Sequence, residues 1–417
     1  MIKHNKNFKI DMVNKTLNKK SDFKVYELIL FGVLISVLSI FLTFVLTKEF
    51  HFSGNNTKNI ISNKNNLSEF EEVYDLVVDS YYKDVDKNKL IDGAINGMLS
   101  SLEDPHTSYF NKAETENFNE IMNGSYEGIG AEISVDNNGN IIILSVFKNS
   151  PAKKEGLAFG DIILEVNDKT TKGLTTTEVV SIIKDPKVPI AKIKIKRNNE
   201  EKTFNVKKEI VIIDSVESEI INYDDKKIGY IIVNNFANNT YEQFRSNLES
   251  IETNNIKGLV IDVRGNTGGY LHSVTDMINM FLPKGKIIYQ IADKKNTYKY
   301  TSSTDESRNY PVSVLVNKSS ASASEILAIS LKEAYGAYVV GTNTYGKGTV
   351  QTTKDLSSGA MIKYTIQKWL SPKGNWINEV GVEPTHKVDL SEEYINNPIS
   401  ENDNQLNKAL KLISESK

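Results

Sequence analysis

The spacing of apolar residues changes twice along this 417-residue chain, and each change predicts a different kind of domain. Between Phe70 and Met98, apolar residues recur at three- and four-residue spacing, which predicts amphipathic helices. Short alternating strands follow from about Gly124 to Lys208, interrupted by a helical pattern at 176–183. From Ile228 onward, buried strand-like runs alternate with helical patterns, which predicts an α/β domain with a largely parallel sheet. The chain is therefore predicted to be multidomain, as its length also indicates.

The same patterns predict individual elements. Predicted strands lie at 131–135, 141–146, 162–166, 193–196, 228–233, 258–262, 312–316 and 337–340. Further helices are predicted at 241–251 and 403–417. The second of these has three apolar residues on one side, a pattern typical of a docking surface: Leu406, Leu410 and Ile413. Asp104-Pro105 is a turn signal and is expected to end the N-terminal helical part.

An uncharged apolar run, LILFGVLISVLSIFLTFVLT, occupies residues 28–47 and is long enough to cross the ~30 Å hydrocarbon core as a helix. Lysines outnumber acidic residues before it, so the positive-inside rule places the N-terminus in the cytoplasm and the rest of the chain outside the membrane. A cleaved signal peptide is the alternative, but the run is longer than a usual signal-peptide core and no small-x-small site follows it. The Asn-rich residues 51–66 suit a tether.

Composition excludes several functions. A net charge of −3 gives no signature of nucleic-acid binding. The chain has no cysteine, so it offers no disulfide, no thiolate metal site and no cysteine nucleophile. No HExxH or other run with metal-ligand spacing occurs, and neither a metal nor a cofactor is predicted. Covalent catalysis would need another nucleophile.

The segment 124–208 resembles a PDZ domain in the order of its motifs GSYEGIGAEI, SPAKKEGLAFGDIILEVND and TTTEVVSIIK. The resemblance implies that N–H groups of the Gly128-Ile129-Gly130 loop hold a peptide carboxylate. It also implies that the strand beginning at Ala131 accepts the peptide by strand addition. A tight glycine turn without a ligand is the alternative interpretation.

Three motifs in the α/β domain follow predicted strands: DVRGNTGGY at 262–270, VNKSSASASEI at 316–326 and GTNTYGKGTVQ at 341–351. Small residues at a strand end let a substrate backbone come close, and α/β folds place their ligands there. Together the motifs resemble those of the carboxyl-terminal processing peptidases, also called tail-specific proteases. The resemblance runs from about Glu69 to Leu390 and implies a PDZ domain followed by an α/β protease core of the crotonase/ClpP-like type.

This resemblance assigns roles to particular residues. Ser322 is the nucleophile, Lys347 is the general base of a Ser-Lys dyad, and Gln351 orients the lysine. The backbone N–H groups of Gly268 and Ala323 form the oxyanion hole. Lysine chemistry supports the second role independently, because a lysine serves as a base only when burial and neighbours lower its pKa.

Several neighbours of these residues are expected to be structural. Ser319, Ser320 and Ser324 are helix-start or packing residues, since serine is favoured at helix starts. Asp262 and Arg264 are expected to hold their loop together as an ion pair.

Three other functions compete with this one. A Ser-His-Asp hydrolase would need one of the extracytoplasmic histidines near the site, and His272 is the candidate; His106 and His386 are the others outside the tether. A catalytically inactive PDZ adaptor would need a broken dyad. An acyl-CoA hydrolase or isomerase on a crotonase-like fold would explain neither the PDZ segment nor Lys347.

The predicted organisation has seven parts. They are a cytoplasmic tail (1–27), a transmembrane helix (28–47), a linker (48–66), a helical region (67–115), a PDZ domain (116–208), an α/β serine protease domain (209–390) and a C-terminal tail with a helix (391–417). The resemblance further implies protein or peptide substrates with free C-termini and a homodimer formed through terminal helices. After the PDZ helix, many relatives carry Arg-Gly-Pro-x-Gly, where this chain has Lys184-Asp185-Pro186-Lys187-Val188. The arginine that in some relatives couples peptide binding to the active site is therefore replaced.

Overall fold

The computed structural model describes residues 64–416. The predicted cytoplasmic tail, the predicted transmembrane helix and most of the predicted linker lie outside this range. Within it, no helix combines the length and the apolar character that crossing a bilayer requires. The chain divides into two compact units between Leu90 and Ile91.

Two helices open the described region, in agreement with the apolar spacing. They are α1 (Lys64–Ser80), which begins inside the predicted linker, and α2 (Lys87–Ser100). In α1, Leu67, Phe70, Val73 and Leu76 are all about half exposed. The helix therefore presents an apolar stripe to its surroundings.

The helical part continues beyond the Asp104-Pro105 turn, so the expectation that it ends there was wrong. A short strand β1 (Ser108–Phe110) is followed by helix α3 (Lys112–Asn123). Asn111 starts this helix through a capping box with Glu114, in which each side chain binds the other residue's backbone N–H at 2.9–3.0 Å.

The PDZ domain consists of a twisted sheet with two helices. Its elements are β2 (Ser125–Gly128), β3 (Ala131–Val135), β4 (Ile141–Val146), α4 (Pro151–Glu155), β5 (Ile162–Val166), β6 (Lys169–Thr170), α5 (Thr176–Lys184), β7 (Ile190–Arg197), β8 (Glu200–Lys207) and β9 (Glu209–Ile212). The sheet order is β3-β4-β5-β7-β8, with β6 on β5, and β2 pairs with β9 separately. The predicted strands are confirmed, and β3 lies at an edge of the sheet.

The protease domain contains the remaining strands and α-helices. They are β10 (Val216–Tyr223), β11 (Lys226–Val233), α6 (Thr240–Glu252), β12 (Leu259–Asp262), α7 (Leu271–Asn279), β13 (Ile287–Ala292), β14 (Thr297–Thr301), β15 (Val312–Val316), α8 (Ala323–Ser330), β16 (Tyr338–Gly341), β17 (Thr349–Asp355), β18 (Met361–Leu370), β19 (His386–Lys387), α9 (Glu392–Asn396) and α10 (Asn404–Glu415). The main sheet runs β10-β11-β12-β15-β16-β19, and β11 to β19 pair in parallel. The predicted parallel α/β core is confirmed.

Alternate residues of the main sheet pack on opposite faces. Helices α6, α7 and α8 cover one face, where Ile231, Ile261 and Val314 belong to the larger apolar core. Helix α10 covers the other face, where Val260 and Leu315 pack with its buried side chains Leu406, Leu410 and Ile413. The docking role predicted for the last helix is confirmed.

A second, antiparallel sheet was not predicted. Its order is β1-β18-β13-β14, with β17 also pairing with β18. It joins a strand that precedes the PDZ domain to the strands that follow the glycine-rich loop containing Lys347. This sheet therefore brings distant parts of the sequence to the same region.

Candidate active site

Ser322 lies at the turn between β15 and α8. Its φ is +54°, an uncommon value for a residue with a side chain, and such strain concentrates at functional sites. Ser322 is partly exposed. Ser320 and Ser324 are fully buried, and their hydroxyls donate to the carbonyls of Val263 (2.7 Å) and Asn266 (2.8 Å). These two serines are packing residues, and Ser322 is left between them as the candidate nucleophile.

Lys347 lies half-buried in the loop between β16 and β17. Burial is the main reason that the pKa of its amine falls from 10.5 to about 8. The charge of Lys363 lowers this pKa further, while Asp104 and Glu325 raise it. A lysine with such a pKa is neutral in a useful fraction of molecules near pH 8, as a general base must be. Its carbonyl accepts a hydrogen bond from the Trp369 indole (2.9 Å), which holds the loop.

Glu325 connects the serine turn to the lysine loop. The residue is fully buried in the first turn of α8. Its Oε2 accepts from the backbone N–H groups of Ser322 (2.8 Å) and Lys347 (2.9 Å). Its Oε1 accepts from the Thr344 hydroxyl (2.6 Å) and the Gly346 N–H (2.7 Å). Glu325 was not predicted as a site residue, although the Ser-x-x-Glu spacing of a capping box could have identified it.

Gly268 lies directly against the Ser322 turn. A Cβ added to it would stand 2.9 Å from the Cβ of Ser322 and 3.2 Å from the nitrogen of Ala323, so the two predicted oxyanion donors lie close together. The φ of Gly268, +108°, also favours glycine. Its N–H donates to Asn266 Oδ1 (2.8 Å) in this structure. Gly268 would therefore have to leave that acceptor before it could bind an oxyanion.

The predicted ion pair of Asp262 and Arg264 is present and extends to the last helix. The guanidinium of Arg264 contacts both carboxylate oxygens of Asp262 at 2.6–3.0 Å. It also contacts Asp403 (2.7 Å) and Gln405 (3.0 Å) at the start of α10. Planar guanidinium groups suit such two-oxygen contacts. The pair holds the strand end before Gly268 to the C-terminal helix.

The other predicted side chains are placed as follows. The Gln351 amide donates to the hydroxyls of Thr349 (2.9 Å) and Thr365 (3.1 Å), and its role in orienting the lysine stays a prediction. His272 is exposed on α7, with its ring centre 5.0 Å from that of Tyr270.

The predicted peptide-binding loop joins β2 to β3. The carbonyls of Ile129 and Gly130 accept from the N–H groups of Ala152 (2.8 Å) and Phe147 (3.0 Å), which fixes the loop. The adjoining β3 is an edge strand, a position that can accept an added strand. A cavity of about 40 Å³ beside it is lined by Tyr126, Gly128, Ile129, Ala131, Ile133, Val180, Ile183 and Lys184.

Lys184 replaces the arginine found in many relatives and lies at the rim of this cavity. Its ammonium binds the Glu120 carboxylate of α3 at 2.5 Å and lies 5.3 Å from the centre of the Tyr126 ring. Lysine at this position keeps a positive charge beside the cavity but cannot form the bidentate hydrogen bonds of a guanidinium.

Comparison with known proteins defines the class. Residues 227–388 match the profile of Peptidase family S41, 128–207 match the PDZ domain, and 44–115 match the profile described as Activating protease CtpB N-terminal domain. An α/β peptidase core and a PDZ domain in one chain define a PDZ-containing serine peptidase.

Individual relatives define the family. The carboxy-terminal processing protease CtpB of Bacillus subtilis (strain 168) is 39% identical over 349 residues, which cover 83% of this chain and 72% of the relative. CtpA of the same strain is 34% identical over 379 residues, covering 89% and 78%. An S41 protease structure from Bacteroides fragilis NCTC 9343 shares the fold, with a TM-score of 0.50 and 17% identity over 80% of this chain and 98% of that one. The chain belongs to peptidase family S41, among the carboxy-terminal processing proteases.

Proposed function

We propose that this peptidase is a membrane-anchored endopeptidase that cleaves extracytoplasmic proteins near their C-termini, with Ser322 as nucleophile and Lys347 as general base. Two observations at these residues support the proposal. The buried Glu325 carboxylate binds the backbone N–H of both residues, and burial lowers the pKa of Lys347 to about 8. The Glu325 carboxylate thereby fixes the strained Ser322 turn and the Lys347 loop relative to each other.

The chemistry follows from these roles. The neutral amine of Lys347 takes the proton of the Ser322 hydroxyl as Oγ attacks the scissile carbonyl carbon. The developing oxyanion is stabilised by the N–H of Ala323 and, once it leaves Asn266, that of Gly268. The lysine then returns its proton to the leaving amine, which releases the C-terminal fragment. A water molecule, deprotonated by the same lysine, hydrolyses the acyl-enzyme and restores both residues.

Substrate selection is assigned to the PDZ domain. The Gly128-Ile129-Gly130 loop would hold a terminal carboxylate, and the tail would add as a strand to the edge of β3. The cavity lined by Ile133, Val180 and Ile183 would receive an apolar side chain of the tail.

Anchoring and assembly are part of the proposal. The apolar run 28–47 supports a single membrane span with the catalytic part outside the cytoplasm. The exposed apolar stripe of α1 supports a homodimer.

The proposal is tested by purifying the full chain in detergent, incubating it with a panel of unfolded proteins and identifying the released peptides by mass spectrometry. Ser322→Ala, Lys347→Ala and Lys347→Arg should release none while remaining folded. Arginine should fail because it remains charged. His272→Ala should remain active. Cleavage by Lys347→Ala combined with its loss in His272→Ala would move the base to histidine, and no cleavage by the wild type would favour an inactive adaptor.

A further inference from the structure

Lys347 shares its surroundings with a second half-buried lysine, Lys363 on β18. The ammonium of Lys363 lies 5.4 Å and 5.8 Å from the ring centres of Phe110 and Phe118, so two aromatic faces support it. Its charge disfavours the protonated form of Lys347. Two positive charges in a partly buried region repel each other, and a nearby carboxylate would offset that repulsion.

Asp104 supplies a carboxylate to both lysines. Its charge raises the pKa of Lys347 and of Lys363. It lies in the Asp104-Pro105 turn before β1, and its oxygens accept from the His106 N–H (2.9 Å) and the Thr107 hydroxyl (2.7 Å). Burial alone would raise the pKa of Asp104, but hydrogen bonds from Thr107, Thr365 and His106 lower it below its ordinary value. The carboxylate is therefore ionised at the pH at which a lysine base works.

The same turn is connected to Gln351. The Thr365 N–H donates to Thr107 Oγ1 (3.2 Å), and Thr365 Oγ1 accepts from the Gln351 amide (3.1 Å). Thr365 and Gln351 stand opposite each other in the ladder of β18 and β17. The amide nitrogen of Gln351 also donates to the Thr349 hydroxyl (2.9 Å), so both of its N–H groups are used. The amide oxygen is therefore the atom of Gln351 that can accept a hydrogen bond from a lysine N–H.

We propose that the Asp104–Thr107 turn, acting through Thr365, is a positioning element of the active site that fixes the Gln351 amide and sets one carboxylate against the Lys347 and Lys363 ammonium groups. This inference rests on the proposed role of Lys347 as base. It gives the segment before β1, which lies outside the S41 profile match, a part in catalysis.

Three ionisable groups act on Lys347: Lys363 from β18, Asp104 from the turn, and Glu325 from α8. Lys347 acts in turn on His106, which lies in the same turn as Asp104. Burial, followed by the charge of Lys347, lowers the pKa of His106, so this ring is neutral near pH 8. Removing Asp104 should therefore make Lys347 easier to deprotonate, and removing Lys363 should make it harder.

The test measures the second-order rate of labelling by a fluorophosphonate probe from pH 5.5 to 10, using the full-length protein. In Asp104→Asn the acid limb should move to lower pH, and in Lys363→Met to higher pH, each by roughly 0.5–1 unit, the scale of one charge in a partly buried setting. Asp293→Asn is the matched control, because Asp293 also accepts N–H groups in a turn (2.7 and 2.8 Å), but its turn lies between β13 and β14, where residues 294–296 are exposed. Its profile should equal that of the wild type.

A second pair of variants tests the connection to Gln351. Thr107→Val should lower the limiting labelling rate about tenfold, as expected for losing hydrogen bonds that position a catalytic group, and Thr107→Ser should restore it to within about threefold. Thr115→Val is the control, since that buried hydroxyl donates to the backbone carbonyls of Phe110 (3.2 Å) and Asn111 (2.8 Å) in its own segment.

The outcomes separate the two proposals. Labelling that persists in Ser322→Ala would refute the proposed function itself. Labelling that requires Ser322, with shifts of the same sign or none in Asp104→Asn and Lys363→Met, would refute only the positioning role. A lower unfolding temperature of Thr107→Val with an unchanged labelling rate would also overturn it, because the turn would then serve the fold alone.

Discussion

The carboxylate of Glu325 binds the backbone N–H groups of Ser322 and Lys347 through the same oxygen, at 2.8 and 2.9 Å. Its other oxygen binds the Thr344 hydroxyl and the Gly346 N–H. All four partners are donors, so this position needs an acceptor on both sides. An amide offers an acceptor on one side only.

Glu325→Gln should therefore disturb the serine turn and the lysine loop together. Hydrogen bonds to charged groups contribute about 1.5–3 kcal/mol, so we expect kcat/KM to fall at least about tenfold and the unfolding temperature to drop. The measurement is peptide cleavage with a thermal melt of each variant. Glu249→Gln is the control, because that exposed side chain pairs with Arg245 on the surface of α6 (2.8 Å) and should change neither quantity. Wild-type kcat/KM in Glu325→Gln would show that the anchor is dispensable.

Alanine variants of Gly268 and Gly265 distinguish the effect of backbone strain from that of steric obstruction, because both glycines lie in the same turn. Both have positive φ, +108° and +76°. A Cβ at 268 would stand 2.9 Å from Ser322 Cβ and from the Ala321 carbonyl oxygen, whereas a Cβ at 265 would meet nothing within 4 Å. Gly268→Ala should lower kcat about 10²–10³-fold, because the added Cβ would push the backbone N–H of residue 268 away from the Ser322 turn, and losing one oxyanion donor usually has an effect of this size. Gly265→Ala should cost about 1 kcal/mol in unfolding free energy and keep kcat. Equal kcat in the two variants would contradict the predicted site.

Buried apolar runs made most of the protease core predictable. The strand at 312–316 has five buried residues, and its boundaries could be read directly because both faces of the sheet are covered. The last helix was predictable for a similar reason, since a stripe of three apolar side chains on one side of a helix favours burial against another element: Leu406, Leu410 and Ile413.

Polar contacts between distant segments could not be predicted. Asp104 and Thr107 reach Thr365 only because β1 pairs with β18, and neither strand carries a strong apolar pattern. Glu325 could be read as an ordinary helix-start residue, and its contacts with Thr344, Gly346 and Lys347 depend on where the lysine loop folds. The sequence before α3 contains two opposite signals: Asp104-Pro105 favours the end of a helical region, whereas the Asn-x-x-Glu spacing of Asn111 and Glu114 favours the start of a new helix.

Tail recognition should depend on a free carboxylate. Amidating the C-terminus of a cleaved peptide deletes one charge-assisted interaction with the loop around Gly130, so kcat/KM should fall roughly ten- to a hundredfold. Acetylating the N-terminus of the same peptide is the matched control, because it removes one charge from the other end and should have little effect. If the amidated and free peptides are cut equally fast, the PDZ domain does not read the terminus.

Replacing Lys347 by methionine should abolish activity and stabilise the fold below pH 8. Burial lowers the pKa of Lys347 from 10.5 to about 8 in the folded protein, so below pH 8 the fold carries a costly buried cation. Between pH 8 and about 10.4 the unfolded chain keeps this proton while the folded protein has released it, so wild-type stability rises with pH across that window. Methionine cannot titrate, and its advantage in unfolding free energy should be largest near pH 6.5 and shrink as pH rises towards 10. Urea denaturation at pH 6.5, 8 and 9.5 measures this, with Lys354→Met at an exposed position of β17 as the control that should show no such trend. A stability difference that is independent of pH, or a loss of stability at pH 6.5, would contradict a buried lysine poised to act as a base.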